Sequence, residues 1–187
     1  MHEVSLGYSI SDYLSGASVE ATTYEDLRQA IARMLVERKG YPADRLRSRV
    51  QVTFPVGEGT YTRMVDLVAY DEADRPLVLI LFCAGEVETY IREAVAAARL
   101  MDTGAPPLAV VTDTQSAVLV SVGDKHPLEN RDYQALPDWD SLRELSGQVP
   151  GYELTEQRRI VEGRLLYALS ELRSCCGEEC ETGSSSD

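Results

Sequence analysis

No stretch of this sequence reaches the roughly 18 consecutive apolar residues that a membrane-spanning helix requires, so no membrane partner is expected. The opening residues, MHEVSLGYSISDYLSG, lack both a basic segment and an apolar segment. A secretory signal is therefore not expected, and the cytoplasm is the expected location. A Gly-rich segment ending in Gly-Lys-Ser/Thr is also missing, which argues against a phosphate-cradling loop and ATP hydrolysis. Lysine is absent between Lys39 and Lys125, so any proton transfer in that stretch would fall to arginine, a poor group for it. Cysteine is sparse at four residues, three of them crowded at Cys175, Cys176 and Cys180, which is no disulfide framework. Basic charge is short as well: 18 Lys and Arg face 31 Asp and Glu, for a net charge of −13. A field of that sign repels phosphate backbones, so weak or no autonomous nucleic-acid binding is expected. Internal repeats are missing too.

What is present is a globular composition, 44% hydrophobic and 26% charged over 187 residues, enough to bury a core. TTYEDLRQAIARMLVERKGYP opens with a capping-box pattern, Thr22 then Glu25, and carries Leu27, Ala30, Ile31, Met34 and Leu35 at helical spacing. Arg38, Lys39 and Gly40 suit its end. Three strand candidates follow: LRSRVQVTF, then YTRMVDLVAY after the hairpin signal GEGT, then LVLILFCA after DEADRP. The third is apolar throughout, as a central strand covered on both faces would be. A helix over VETYIREAVAAARLMD and two short strands around Asp113 to Ser116 complete the pattern. The order predicts an α/β fold with an antiparallel meander and a parallel return strand. Beyond Asp124 the chain reads as loop, then as helices over Ser141 to Gln148 and Thr155 to Ser174. The second helix has Val161, Leu165, Ala168, Leu169 and Leu172 on one side, a stripe that needs either the core or a second copy to cover it. The expected organisation is an N-terminal extension over 1–21, an α/β domain over 22–124, a loop with C-terminal helices over 125–174, and a flexible Cys/Ser-rich tail over 175–187.

The helix YEDLRQAIARMLVERKGYP followed by MVDLVAYD and RPLVLILFC resembles the N-terminal nuclease domain of type I restriction enzyme R subunits, a branch of the PD-(D/E)XK nuclease superfamily. The resemblance covers about residues 22–124, and its most telling pieces are LVERKGYP and VDLVAYDEADRPL. It implies a restriction-endonuclease-like mixed β-sheet flanked by helices, with a C-terminal helical extension. Phosphodiester cleavage on that fold needs a divalent cation held by carboxylates and a lysine near the attacking water. The family places an Asp at the end of one strand and Glu-X-Lys on the next, on one face, often with a Glu on the first helix. Asp66 matches the Asp and Glu25 the helical acid, but the alignment places Phe82 at the acid and Ala84 at the lysine. The Gln-x-x-x-Tyr pattern of many relatives is absent from IREAVAAAR, and Cys83 has the opposite parity. Asp66 and Glu25 alone make a poor Mg²⁺ site, so no cofactor is expected unless the site has been rearranged.

Each candidate has a plainer reading. Asp66 is either a remnant ligand or a buried acid hydrogen-bonded to a neighbour such as Arg63 or Arg92. Glu25 is a remnant acid or a cap. Glu86 and Glu88 are migrated acids or helix-start residues. Arg45, Arg47, Arg49 and Arg63 are candidates for nucleic-acid contact, with Arg47 and Arg49 on one strand face, or a solvated edge. Cys175, Cys176 and Cys180 lack the paired spacing of structural zinc and would need Cys83, His126, His2 or a second chain as fourth ligand. Three functions follow: an inactive nuclease-like module acting by protein or nucleic-acid association; a Mg²⁺-dependent endonuclease rebuilt around Asp66, Glu25 and Glu86; and a homodimeric scaffold in which the C-terminal helix docks between copies.

Overall fold

The computed structural model describes residues 4–132 and 136–175. The N-terminal extension is an antiparallel hairpin of β1 (Ser5–Ser11) and β2 (Ser18–Thr22), and α1 (Glu25–Lys39) follows directly. The start of α1 departs from the expected capping box. Thr22 belongs to β2, Tyr24 is the N-cap, and no side-chain cap hydrogen bond forms there. The reason is that the Glu25 carboxylate is drawn to Arg28, Gln29 and Arg49 and does not reach back to cap the helix. The far end behaves as expected: Gly40 adopts φ 72°, and the Tyr41 N–H donates to the Leu35 carbonyl at 3.1 Å.

β3 (Leu46–Val56) and β4 (Gly59–Tyr70) form a hairpin whose turn places Gly57 at φ 60°. Asp71 then shapes the turn into β5 (Pro76–Phe82) by accepting from the N–H groups of Ala73 and Arg75. A short 3-10 turn and α2 (Ile91–Arg99) cross over to β6 (Leu108–Thr112), which runs parallel to β5, and β7 (Ser116–Ser121) returns antiparallel. The segment expected to be loop after Asp124 instead contributes β8 (Pro127–Asp132), paired antiparallel with β7. PLENRD carries no alternating apolar pattern; pairing with the open edge of β7 makes it a strand, and its charged residues suit an outer position. α3 (Trp139–Gln148) and α4 (Glu156–Cys175) close the chain.

Among the described residues the main sheet has six strands in the order β3-β4-β5-β6-β7-β8. It is mixed and flanked by helices on both faces, as the sequence pattern predicts. One face packs Val52, Phe54, Leu79, Leu81 and Val111 against α2 and α4. The other packs Leu67, Ile80, Val110 and Leu119 against Ile31 and Leu35 of α1 and Leu142 of α3. β5 serves both layers with alternate residues, so its uninterrupted apolar run belongs to the core.

The packed face of α4 is not the one expected. Val161 is 64% exposed and Ala168 is exposed, whereas Leu166 is 0% exposed inside the first layer. Gly163 lets the helix lie close: a Cβ there would stand 3.1 Å from Phe54 Cδ2. Leu165 and Leu169 are half-buried at the margin. The seat is set by a small residue, and the sheet edge meets the helix at Gly163 and Leu166. α4 therefore packs on α2 and β3 of its own chain. The side chains of Leu172 and Cys175, and residues 176–187 with Cys176 and Cys180, lie outside the described residues.

Candidate functional site

β4 and β5 pair from Tyr70↔Pro76 to Leu67↔Ile80, and the pairing stops there. β5 continues alongside β6 as far as Phe82↔Thr112, so β4 and β5 part at Asp66. The Asp66 carboxylate fills the fork. Its Oδ2 accepts the Phe82 N–H at 2.7 Å, replacing the ladder bond lost when the strands separate. Its Oδ1 accepts from Nε and Nη2 of Arg28, at 3.0 and 2.9 Å.

Arg28 turns the rest of its guanidinium to Glu25 one helical turn back, whose Oε2 accepts from Nη1. That oxygen also accepts from Arg49 of β3. Arg49 sits at φ 52°, a left-handed conformation costly for a residue with a Cβ. This reversal breaks the alternation of β3: Leu46 faces the α1 layer, whereas Val50, Val52 and Phe54 face the α2 layer. Arg47 and Arg49 were expected on one face and are parted by it. Arg49 reaches Glu25 beneath α1, while the Arg47 guanidinium lies 4.2 Å from the Tyr70 ring centre on the other side.

The network extends to the N-terminal hairpin. Gln29 Nε2 donates to Glu25 Oε1 at 2.6 Å and to Asp12 Oδ1 at 2.9 Å, and the Ser15 hydroxyl and N–H donate to Asp12 Oδ2 at 2.7 and 2.8 Å. Burial raises the Asp12 carboxyl, but these bonds from Gln29 and Ser15, with Arg49 nearby, outweigh it and hold the group below its ordinary range. At Asp66 the balance runs the other way: burial pushes the carboxyl up, against Arg28, the Phe82 N–H and the more distant Arg63. Glu25 is 0% and Arg28 3% exposed. Three carboxylates thus face two guanidiniums.

Sequence reasoning named Asp66 and Glu25 but missed Arg28, Gln29 and Asp12. Glu25, Arg28 and Gln29 stand at i, i+3 and i+4, the spacing that brings side chains together on one helix face, and that signal was present. For Asp12 the sequence carries no signal of its proximity. The structure brings Asp66 to Arg28, and not to the Arg63 or Arg92 that were expected as partners.

Apart from Arg49 and the Phe82 N–H, the remaining candidates do not join this cluster. Phe82 is half-buried with its ring 5.1 Å from that of Tyr24, and Ala84 is exposed. Both line an open groove of about 570 Å³ that also touches Leu27, Glu86 and Asp113. Cys83 is buried in the opposite layer. Arg45 donates to the Asp71 carbonyl at 3.3 Å, Arg47 to Asp74 at 2.8 Å, and Arg63 to Glu93 at 2.9 Å. His126 is exposed, and His2 lies outside the described residues.

The family of the type I restriction enzyme R protein N terminus matches residues 23–138, more than half of the chain. The chain belongs to this family. No curated protein matches it. The family match spans α1, the six strands and the Asp66 fork, so the fork is part of the R-protein N-terminal domain and not an addition to it. No helix among the described residues is long and apolar enough to cross a membrane.

The resemblance implies a divalent cation, and the donor set at the fork does not fit one. All four oxygens of Asp66 and Glu25 already accept from protein donors. Among the described residues no group of three or more His, Cys, Asp or Glu gathers in a way that would hold a metal ion. A positive side chain already stands between the two acids, and a second cation there would be repelled.

Proposed function

We propose that this R-protein N-terminal domain is a catalytically inactive nuclease-like module that works by association, with a protein partner favoured over nucleic acid. The observation that carries this reading is the engagement of every Asp66 and Glu25 oxygen by Arg28, Arg49, Gln29 and the Phe82 N–H. Electrostatic stabilisation by a bound cation is the largest expected term in such chemistry, and the Arg28 guanidinium already occupies the space between these two acids. Phe82 and Ala84, at the positions of the family's acid and lysine, supply neither ligand nor proton donor. The preference for a protein partner follows from the arginines: Arg45, Arg47, Arg49 and Arg63 each have a carboxylate or carbonyl of this chain as partner, and the net charge is −13.

The test is a supercoiled-plasmid assay with Mg²⁺ or Mn²⁺, run on the wild type and Asp66→Ala beside a gel-shift titration. The expected result is no Asp66-dependent nicking and a gel shift only at low salt. Cleavage present in the wild type and lost in Asp66→Ala would establish the alternative, an endonuclease rebuilt around Asp66 and Glu25. The homodimeric scaffold is less favoured, since α4 is seated on its own chain and only Ile160, Val161 and Tyr167, among the large apolar residues described on it, stay exposed.

A further inference from the structure

We propose that the open groove at the C-terminal end of β5 is a docking site for a protein partner, one that presents an apolar side chain flanked by Lys or Arg. The inference rests on the reading of this domain as a module that works by association, and it names the surface and the chemistry of the partner.

The wall of the groove is the first argument. α1 contributes Leu27, with Tyr24 at its N-cap; β5 contributes Phe82, with Ala84 just beyond its end. Leu27 belongs to the apolar stripe of α1 yet lies in neither packed layer of the core, and Ala84 is exposed. The Tyr24 and Phe82 rings stand 5.1 Å apart, tilted by 53°. Phe82 is held further by its N–H, which donates to Asp66 at 2.7 Å. The apolar wall is therefore fixed before anything docks, so an incoming side chain gains contact there without ordering it. A space of about 570 Å³ gives room for a large aromatic or aliphatic anchor.

Charge selects the occupant. Among the described residues that line the groove, the charged ones are Glu86 and Asp113, both acidic, and no Lys or Arg joins them. Asp113 is fixed at the rim, since its Oδ1 accepts the N–H groups of Gln115 and Ser116 at 2.8 and 2.7 Å. A nucleic acid would bring phosphates against these carboxylates and against a net charge of −13, and a second copy would bring the same −13. A basic segment of a partner protein meets both demands: its apolar side chain fits the wall, and its cations face the acidic rim.

The experiment pans a random phage-displayed peptide library against the full-length wild type. The strongest binder, as a fluorescein-labelled synthetic peptide, is then titrated by anisotropy on wild type, Ala84→Arg, Phe82→Ala and Glu86→Gln/Asp113→Asn. The binders should carry an aromatic or aliphatic residue beside Lys or Arg. Ala84→Arg fills the groove and opposes its charge, and should weaken binding by about tenfold or more. The amide double variant keeps the Asp113 turn and should weaken it about two- to fivefold, with a shallower salt dependence. If Phe82→Ala does not fold, Ala84→Arg, at an exposed position, carries the test of the wall. Binders without basic residues, or a basic binder indifferent to these variants, would overturn the inference. A labelled DNA duplex bound by the wild type and lost in Phe82→Ala would overturn it in favour of nucleic acid. A dimer in sedimentation that Ala84→Arg dissociates would overturn it in favour of a second copy. Asp66-dependent plasmid cleavage would overturn the inactive-module reading and leave the groove to be decided by the peptide.

Discussion

Two buried guanidiniums, one under each face of the sheet, do opposite things with the same chemistry. Arg28 on α1 is 3% exposed and joins side-chain carboxylates drawn from a helix and a strand. Arg99, at the end of α2, is 5% exposed and serves the backbone. Its Nε and Nη2 donate to the Val122 carbonyl at 2.9 and 2.6 Å, Nη2 also to Gly123 at 2.8 Å, and Nη1 to Glu162 of α4 at 2.6 Å. The Tyr152 ring lies 4.1 Å from it. Arg99 thus caps carbonyls that leave β7 and ties α4 to the sheet. Arg28 neutralises an acid pair that a packing argument alone would not place there. The difference is one between joining side-chain carboxylates and gathering backbone carbonyls.

If Arg99 is structural, its loss should be the more damaging. Arg99→Ala leaves two carbonyls without their donor and Glu162 with only the more distant Lys125, at 3.7 Å, and should cost about 3–5 kcal/mol by urea denaturation. A loss below about 1 kcal/mol, as for a neutral surface change, would break the distinction between the two arginines.

The seat of α4 offers a sharper contrast within one helix. Leu166→Ala removes a fully buried side chain and should cost about 2–5 kcal/mol. Val161→Ser, on the exposed side, should stay within about 0.5 kcal/mol. Equal effects in denaturation curves would mean that the helix is seated on the other face.

A third guanidinium, Arg75, supplies the exposed end of the series and the smallest effect. Burial raises the Asp71 carboxyl, but the Arg75 N–H, its guanidinium and the Ala73 N–H outweigh it, so the group sits below its ordinary range. A depressed carboxylate adds stability above its unfolded value, near 3.9, and loses it as pH falls through the folded value. Asp71→Asn should therefore melt a few degrees below wild type at neutral pH, with the gap closing below about pH 4. A gap independent of pH would assign the effect to the turn backbone and not to charge.

Residue periodicity was enough to place α1, the β3–β4–β5 meander, the parallel return to β6 and the two C-terminal helices, because each has a local pattern with a period of its own. The apolar run of β5 announced a strand covered on both sides, and Asp66 stood out as a lone acid within a strand. PLENRD has no such pattern, and only the open edge of β7 made it a strand. The seat of α4 depended on Gly163 meeting Phe54, a contact that no spacing along α4 encodes. Above all, the partner of Asp66 was decided in three dimensions. Where β4 leaves β5, one backbone N–H lacks a ladder partner, and the carboxylate that supplies it comes within reach of Arg28 from a separate helix. Local sequence sets which elements form; the meeting of charges from distant segments depends on how those elements stack, and so the content of the site belongs to the tertiary structure.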